Sequence, residues 1–206
     1  MTRMRTRTWC VAALVAAVVV LPAAAQQPTS GQKEMSPDEK AMMEAMAKAA
    51  TPGKQHQWLA SKAGMWEWTG KFWMAPTAPP TDMRGAAERT MMLGGRVLAE
   101  KVTSPGFMGQ PFEGFGLAGY DNLAKAYWGT WNDNMGTGVM LSKGQCDDKG
   151  SCTYTGEYLD PMTGKMKKSR MVSRDDGPDK EVHEFYDVGP DGKEFKSMEL
   201  QYTRKK

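Results

Sequence analysis

The stretch Ala63–Met74, AGMWEWTGKFWM, decides how this chain folds. One face of an extended chain here carries large apolar residues with glycines between them, namely Gly64, Trp66, Trp68, Gly70, Phe72 and Met74. The other face carries the polar residues Glu67, Thr69 and Lys71. Such alternation is typical of a β-strand with one buried face. The stretch therefore predicts the first strand of a sheet whose inner face is aromatic.

Turn-forming residues recur about every ten residues after this strand. They occur at 76–80, 94–95, 104–106, 121–122, 134–136, 147–150, 160–164, 175–178 and 189–192. The short segments between them contain β-branched, aromatic and methionine residues and many glycines. Closing such a series of strands removes its exposed edges. The pattern therefore predicts an all-β domain over residues 54–206, a closed antiparallel barrel of about ten strands.

The chain begins with the features of a secretory signal peptide. Arg3, Arg5 and Arg7 precede the apolar run Trp9–Leu21, and small alanines end at Ala25. The run is shorter than the roughly 20 apolar residues that a membrane-spanning helix needs. We expect residues 1–25 to be removed after Ala25, which leaves a periplasmic or secreted protein without a transmembrane span. A retained anchor is the alternative.

Residues 26–53 are predicted to form a polar linker and one amphipathic helix. The helix begins at Ser36-Pro37 and ends at Thr51-Pro52-Gly53, and its apolar face is formed by Met42, Met43, Met46, Ala49 and Ala50. Thioethers are soft ligands, so copper binding is one interpretation, and loose packing on another surface is the other. The next segment, HQWLASKAG, predicts a short helical turn that leads into the barrel.

The charge of the chain argues against nucleic-acid binding. Loss of residues 1–25 removes three arginines and no acids, which leaves 24 basic and 24 acidic residues. The basic excess of the whole chain is therefore a targeting feature. Lys165, Lys167, Lys168 and Arg170 are interpreted as the solvent face of one strand.

Two cysteines remain after the predicted cleavage, Cys146 and Cys152. Between them, Asp147-Asp148-Lys149-Gly150 has the composition of a tight turn, with Gly150 suited to a positive φ. A hairpin brings the two cysteines together, and an exported protein meets oxidising conditions. We therefore predict a structural disulfide. A zinc site is the alternative, but it lacks a third cysteine or a histidine nearby.

Five motifs in order resemble the bacterial exported family known as domain of unknown function 1579. They are GKFWM, MMLGGR, FMGQPFEGFGLAGYDN, DPMTGK and GPDGKEFKSMELQYTRK, within roughly Gln55–Lys205. The resemblance implies a lipocalin-like barrel of no established activity. The pair formed by Gly64-x-Trp66 and Arg204 is similar to the calycin arrangement, which implies a tryptophan plug covered by a basic side chain from the last strand.

Several residues are candidates for a ligand site. Trp68, Phe72 and Met74 are predicted to continue the inner aromatic wall, and Trp131 and Asp133 combine an aromatic and a polar group at a strand end. Asn134 is interpreted as a turn residue. His183 and Tyr186 lie in the late segment EVHEFYDVG. Haem-binding barrels of the nitrobindin type place a histidine ligand late in the chain, so His183 carries a haem hypothesis; a structural histidine is the alternative.

No catalytic motif is evident in the sequence, since it contains no metal-spaced His/Cys cluster, phosphate loop or Ser-His-Asp order. We therefore expect a binding protein for a small, mostly apolar ligand, without a resident cofactor. The second hypothesis is a structural or interaction role with a filled barrel, in which the Met/Ala helix docks on a partner or on envelope lipid. An enzyme is the third.

Overall fold

The alternating segments after Gly64 form ten antiparallel strands that close into one barrel. The computed structural model describes residues 34–107, 109–161 and 163–206. The strands are β1 Gly64–Phe72, β2 Thr81–Met92, β3 Val97–Phe107, β4 Gln110–Asp121, β5 Ala126–Asp133, β6 Met140–Cys146, β7 Ser151–Leu159, β8 Met166–Asp175, β9 Lys180–Val188 and β10 Glu194–Arg204. The predicted signal peptide, its cleavage point and the linker up to residue 33 lie outside the described residues.

Each strand pairs with the next one along the chain, and β1 pairs with β10 to close the barrel. The closing register runs from Trp66 opposite Arg204 to Phe72 opposite Met198. The predicted closed antiparallel barrel of ten strands is thus confirmed. Alternation along each strand then sends every second side chain into the interior, which we call the lumen.

Two helices precede the barrel, α1 at Pro37–Ala50 and α2 at Lys54–Ser61. The predicted amphipathic helix is α1, and the predicted short turn is the regular helix α2. His56 begins α2 by accepting a hydrogen bond at Nδ1 from the backbone N–H of Gly53. Leu59 of α2 is buried against Leu98 and Tyr127. The helix therefore covers the barrel end at which β1 begins, which we call the closed end.

Helix α1 touches the barrel mainly through its last turn. The Arg96 side chain donates a hydrogen bond to the carbonyl of Ala50, and the Asn122 amide donates to the carbonyls of Ala49 and Thr51. These contacts satisfy carbonyls that the helix end leaves free. None of the residues of α1 is buried, so its methionine face is exposed. Within the described residues, neither helix has the length and apolar character needed to span a bilayer.

The core consists of two clusters, one at each side of the lumen. The first contains Trp66, Trp68, Met83, Ala87, Val102, Leu200 and Tyr202. The second contains Leu59, Leu98, Tyr127, Cys152 and Tyr154, and it lies beneath α2. Other inward-facing residues, namely Trp131 of β5, Ser142 of β6, Met171 of β8 and Phe185 of β9, are only partly buried and keep some solvent contact.

The predicted disulfide joins Cys146 to Cys152, which lie opposite each other at the end of the β6–β7 hairpin. Gly150 has the expected positive φ of 81°, and the Asp147 carboxylate accepts hydrogen bonds from the backbone of Lys149 and Ser151. Cys152 is fully buried in the second cluster. The bond therefore fixes a tight turn to the core beneath α2.

Removing this disulfide is expected to cost about 2 kcal/mol, the chain-entropy value for so short a loop. The variant C146A/C152A and the reduced wild type should both show this loss in urea unfolding. Reductant should leave the stability of C146A/C152A unchanged. A wild type whose unfolding free energy is insensitive to reductant would contradict the prediction.

Candidate functional site

Trp66 fills the lumen at the closed end. It is 1% exposed, and its indole N–H donates a hydrogen bond of 3.0 Å to the carbonyl of Lys62. The guanidinium of Arg204 lies 4.3 Å from the centre of its ring, and it also donates to the carbonyls of Ser61 and Ala63. A cation over an indole face is attracted by the ring quadrupole. Trp66 and Arg204 therefore tie the first and last strands to the segment after α2.

A buried ion pair network lies beside Trp66. Arg89, with a side chain 4% exposed, places Nε 2.7 Å from Glu100 Oε1 and Nη1 2.7 Å from Glu181 Oε2. Its guanidinium carbon is 4.8 Å from the ring centres of both Trp66 and Tyr202. The single cation is thus shared by two carboxylates and two aromatic rings. Removing it would leave Glu100 and Glu181 without their closest cation.

Lys62 extends this network toward α2. Its ammonium group is 2.5 Å from Asp175 Oδ1 and 3.4 Å from Glu181 Oε1. Glu181 Oε1 accepts no hydrogen bond within the described part of the chain, so its contact with Lys62 is electrostatic only. We define the floor cluster as Lys62, Arg89, Glu100, Asp175 and Glu181. Two cations and three carboxylates give it a formal charge of −1.

The floor cluster holds its charges in the folded state. Burial opposes ionisation of Glu181, but the hydrogen bond from His183 and the charge of Arg89 outweigh it and lower the pKa of Glu181 below its ordinary value. Burial also acts against the charged form of Arg89, yet Glu100 and Glu181 raise its pKa. Both groups therefore stay ionised at neutral pH.

His183 marks the boundary between the floor cluster and the open lumen. Its Nε2 is 3.2 Å from Glu181 Oε2, and its ring centre is 4.8 Å from that of Tyr202. The side chain is 16% exposed, whereas Glu181 and Tyr202 are 5% and 4% exposed. Solvent-accessible space therefore reaches His183, and in the floor cluster it also reaches Glu100, whose side chain is 23% exposed.

A band of small residues lines the middle of the lumen. Five adjacent strands, β4 to β8, place small side chains at one register level, namely Ala118, Gly129, Ser142, Gly156 and Ser169. We call this set the small-residue strip. Ser142 and Ser169 retain partial solvent contact although they face inward. The strip therefore presents only small side chains to the lumen at this level, although neighbouring atoms lie within 2.9 Å of a Cβ added to Gly129 or Gly156.

Trp131 lies flat against the wall next to this strip. A Cβ added to Gly114 would come within 2.3 Å of its ring, and one added to Gly116 within 3.0 Å. The indole N–H donates a 2.9 Å hydrogen bond to Asp133, and Phe112 stacks on the ring at 6.4 Å with an interplanar angle of 17°. Because glycines let the ring lie along β4, Trp131 lines the lumen instead of crossing it.

Comparison with known proteins identifies the family. A model of a protein family of unknown function, DUF1579, matches residues 51–204. The chain belongs to the DUF1579 family. This assignment confirms the family that the sequence motifs resemble.

Solved structures agree with the barrel of this DUF1579 protein. The crystal structure of Rv2717c from M. tuberculosis superposes with a TM-score of 0.58 at 15% identity, and the match covers 76% of this chain and 100% of that one. At this identity, the similarity establishes the fold alone. A redesigned beta barrel matches at 15% identity over 72% of this chain and 95% of its own, with a TM-score of 0.36, a value too low to establish a common fold. No curated protein matches the sequence.

The structure separates the residues predicted for the ligand site of this DUF1579 protein. Trp68 belongs to the first core cluster, and Phe72 packs against it in contact with Phe107. Trp131 and Asp133 are joined by a hydrogen bond, as described above. The Asn134 side chain bonds the backbone of Glu113 and Pro111 in β4 instead of the predicted local turn groups, and Asp133 accepts the local bond from the Met135 N–H.

Two predicted site residues lie away from the lumen. Met74 was expected to continue the inward face, but β1 ends at Phe72, and Met74 lies in the following loop with 67% exposure. Tyr186 lies on the outer face of β9, where Arg170 covers its ring and its hydroxyl bonds Glu184. Alternation along β9 explains this correction, because His183 and Tyr186 are an odd number of residues apart.

The haem hypothesis for His183 stays a prediction. Nε2 of His183 is engaged by Glu181, so an axial bond to iron would come from Nδ1. We derive no chemistry from haem. Among the described residues, no group of three His, Cys, Asp or Glu side chains is arranged to hold a metal ion.

Sequence reasoning missed the floor cluster and the small-residue strip. Glu88 and Arg89 are consecutive charged residues, so the alternation of β2 does not reveal which one faces inward. Glu181 and Glu184 raise the same ambiguity in β9. The sequence does contain one indication of the site. Glu181 and His183 are two residues apart in a predicted strand, so their side chains lie on the same face and can contact each other.

A separate cavity of about 780 Å³ lies on the outer wall of β10, β1 and β2. Its charged and polar lining includes Thr69, Lys71, Asp82, Arg84, Glu199 and Gln201. Lys71 and Asp82 pair there at 2.9 Å while remaining largely exposed. This cavity lies outside the lumen and is lined by both polar and apolar residues.

Proposed function

We propose that this protein binds a small, mostly apolar ligand in the lumen. The observation that carries the proposal is the small-residue strip, since five neighbouring strands place only small side chains at the same level of the inner wall. Trp131, Met171 and Phe185 border this part of the wall as partly exposed, inward-facing apolar side chains. A concave, mostly apolar surface with a few polar groups is typical of small-molecule sites.

The barrel end opposite α2 is the proposed entrance. Polar pairs line it, with Lys167 Nζ 3.0 Å from Asp160 Oδ2 and the Tyr158 hydroxyl 3.4 Å from Asp187 Oδ1. Burial, with Asp187 as the second cause, raises the pKa of Tyr158 to about 12, so its hydroxyl stays protonated at neutral pH. Phe107 of the β3–β4 hairpin contacts Phe72 and Phe112 at the same end. This gives the entrance an aromatic side and a polar side.

We further infer that the protein acts outside the cytoplasm. The predicted signal peptide supports export, and the buried disulfide suits an oxidising compartment. A ligand carrier or scavenger of the periplasm or the external medium is consistent with both features. No catalytic step is assigned to the lumen.

A large side chain placed at the small-residue strip should weaken ligand binding in the lumen. The variant Ser169→Trp places an indole at the level of the strip, whereas Lys168→Trp adds the same ring to the outer face of β8. The fluorescence of N-phenyl-1-naphthylamine, a neutral apolar probe, should report binding by wild type and K168W. We expect at least an approximately tenfold weaker affinity for S169W, because its indole competes for the same space.

Thermal unfolding of both variants shows whether S169W keeps the fold, and Ser142→Phe repeats the test on β6. Native mass spectrometry of protein purified from its host should also detect a bound small molecule. Equal probe binding by S169W and K168W would refute a lumen site. Absence of both a probe signal and a bound mass would favour the alternative role of attachment through the exposed methionine face of α1.

A further inference from the structure

His183 faces the lumen and keeps partial solvent contact. The residues beyond it toward the closed end, Glu181, Arg89 and Tyr202, are nearly inaccessible, whereas His183 keeps 16% exposure. Toward the other end, β9 places Phe185 on the same inward face. A ligand that lies along the apolar wall therefore meets His183 at the floor, where Glu100 is also accessible at 23% exposure.

Glu181 fixes which nitrogen of His183 can meet that ligand. The Glu181 carboxylate is ionised and can only accept, so Nε2 carries the proton of the hydrogen bond between them. Within the described residues, Nδ1 of His183 makes no hydrogen bond to another protein group. In the neutral ring, Nδ1 is an acceptor with a free lone pair.

The charge of the floor cluster selects among head groups. Its formal charge is −1, and Glu181 lies 3.2 Å from the histidine ring. A carboxylate or phosphate head would face this excess negative charge at low dielectric. A neutral hydroxyl avoids that repulsion and supplies the proton that Nδ1 accepts.

We propose that His183, oriented by Glu181, binds the hydroxyl head of an otherwise apolar alcohol at the floor of the lumen. The inference rests on the proposed lumen site and adds its ligand class. Met171 and Phe185 contact the apolar body of such a ligand, and the small-residue strip accommodates the remainder. His183 acts as a specificity-determining residue through one hydrogen bond.

Displacement of N-phenyl-1-naphthylamine by three matched compounds tests the ligand class in the wild type. 1-Decanol carries the hydroxyl, 1-methoxydecane lacks the O–H donor, and decanoate carries a negative charge. We expect 1-decanol to bind about tenfold more tightly than either of the others. Its hydroxyl can donate a buried hydrogen bond to Nδ1 of His183, and the other two compounds have no such donor. This comparison requires no variant.

His183→Phe should remove the preference and leave apolar binding intact. It should bind 1-decanol and 1-methoxydecane within about twofold of each other, because the acceptor is lost. Glu184→Gln, on the outer face of β9, is the matched control and should retain the wild-type preference. In the wild type, 1-decanol should also shift the Nδ1 resonance of His183 in ¹⁵N spectra, where His56 is the one other histidine.

The outcomes separate this inference from the proposed function. Probe binding with equal displacement by 1-decanol and 1-methoxydecane would overturn the hydroxyl site and leave the lumen site standing. Tighter binding of decanoate would overturn the head-group assignment. Failure of the probe and of all three compounds to bind would refute both proposals.

Discussion

Replacing Arg89 with methionine is expected to destabilise the protein by about 3–5 kcal/mol, the typical cost of removing one partner of a buried ion pair. Arg89 is the partner of Glu100 and Glu181 at 2.7 Å each. Methionine retains much of the side-chain volume, so the loss reflects charge more than a cavity. Urea unfolding gives the change in unfolding free energy.

Arg170→Met is the matched control for this substitution. Arg170 pairs with Glu194 through two hydrogen bonds on the outer face, where both side chains are substantially exposed. An exposed pair contributes about 0–1 kcal/mol, so R170M should change stability little. Adding Glu181→Gln to R89M should recover part of the loss by removing one uncompensated charge. Equal effects of R89M and R170M would show that the floor cluster does not stabilise the fold.

Replacing Trp66 with alanine is expected to cost about 3–5 kcal/mol, as large-to-small changes in a core do. The substitution removes the most buried ring of the first cluster and its hydrogen bond to the carbonyl of Lys62. It also exposes the guanidinium groups of Arg89 and Arg204 to a cavity in place of an aromatic face. Urea unfolding at neutral pH measures the loss.

Trp73→Ala provides the control for Trp66. Trp73 lies one residue after β1, is partly exposed, and contacts the ammonium of Lys196 at 5.7 Å. Because little of this ring is in the core, we expect a loss of about 1–2 kcal/mol. Trp66→Phe should fall between the two alanine variants. A W66A variant no less stable than W73A would be incompatible with a structural plug at the closed end.

Local patterns predict the barrel because each strand carries its own signal. Alternation from Gly64 to Phe72 and regularly spaced turns need no knowledge of distant contacts. The same local logic predicts the Cys146–Cys152 hairpin. The alternation of the sequence continues to Met74 and so predicts too long a first strand. In the structure β1 ends at Phe72, which lies opposite the first residue of β2.

The site could not be predicted to the same extent, because it depends on register between strands. The strip requires that Gly129, Ser142 and Gly156 fall at one level, and a shift of one residue would turn each outward. The floor cluster likewise unites residues from β2, β3, β8, β9 and the segment after α2. Strands with polar residues on both faces give no local indication of which side is buried.

The pairing of β1 with β10 has a kinetic consequence. Every other strand pair joins neighbours in the chain, whereas this seam brings Trp66 against Arg204. Loop-closure entropy makes such a distant contact slow to form, so the nine hairpins should assemble before the seam is made. Until then, both outer strands expose unpaired backbone groups, and the folding chain is vulnerable to intermolecular pairing during that interval.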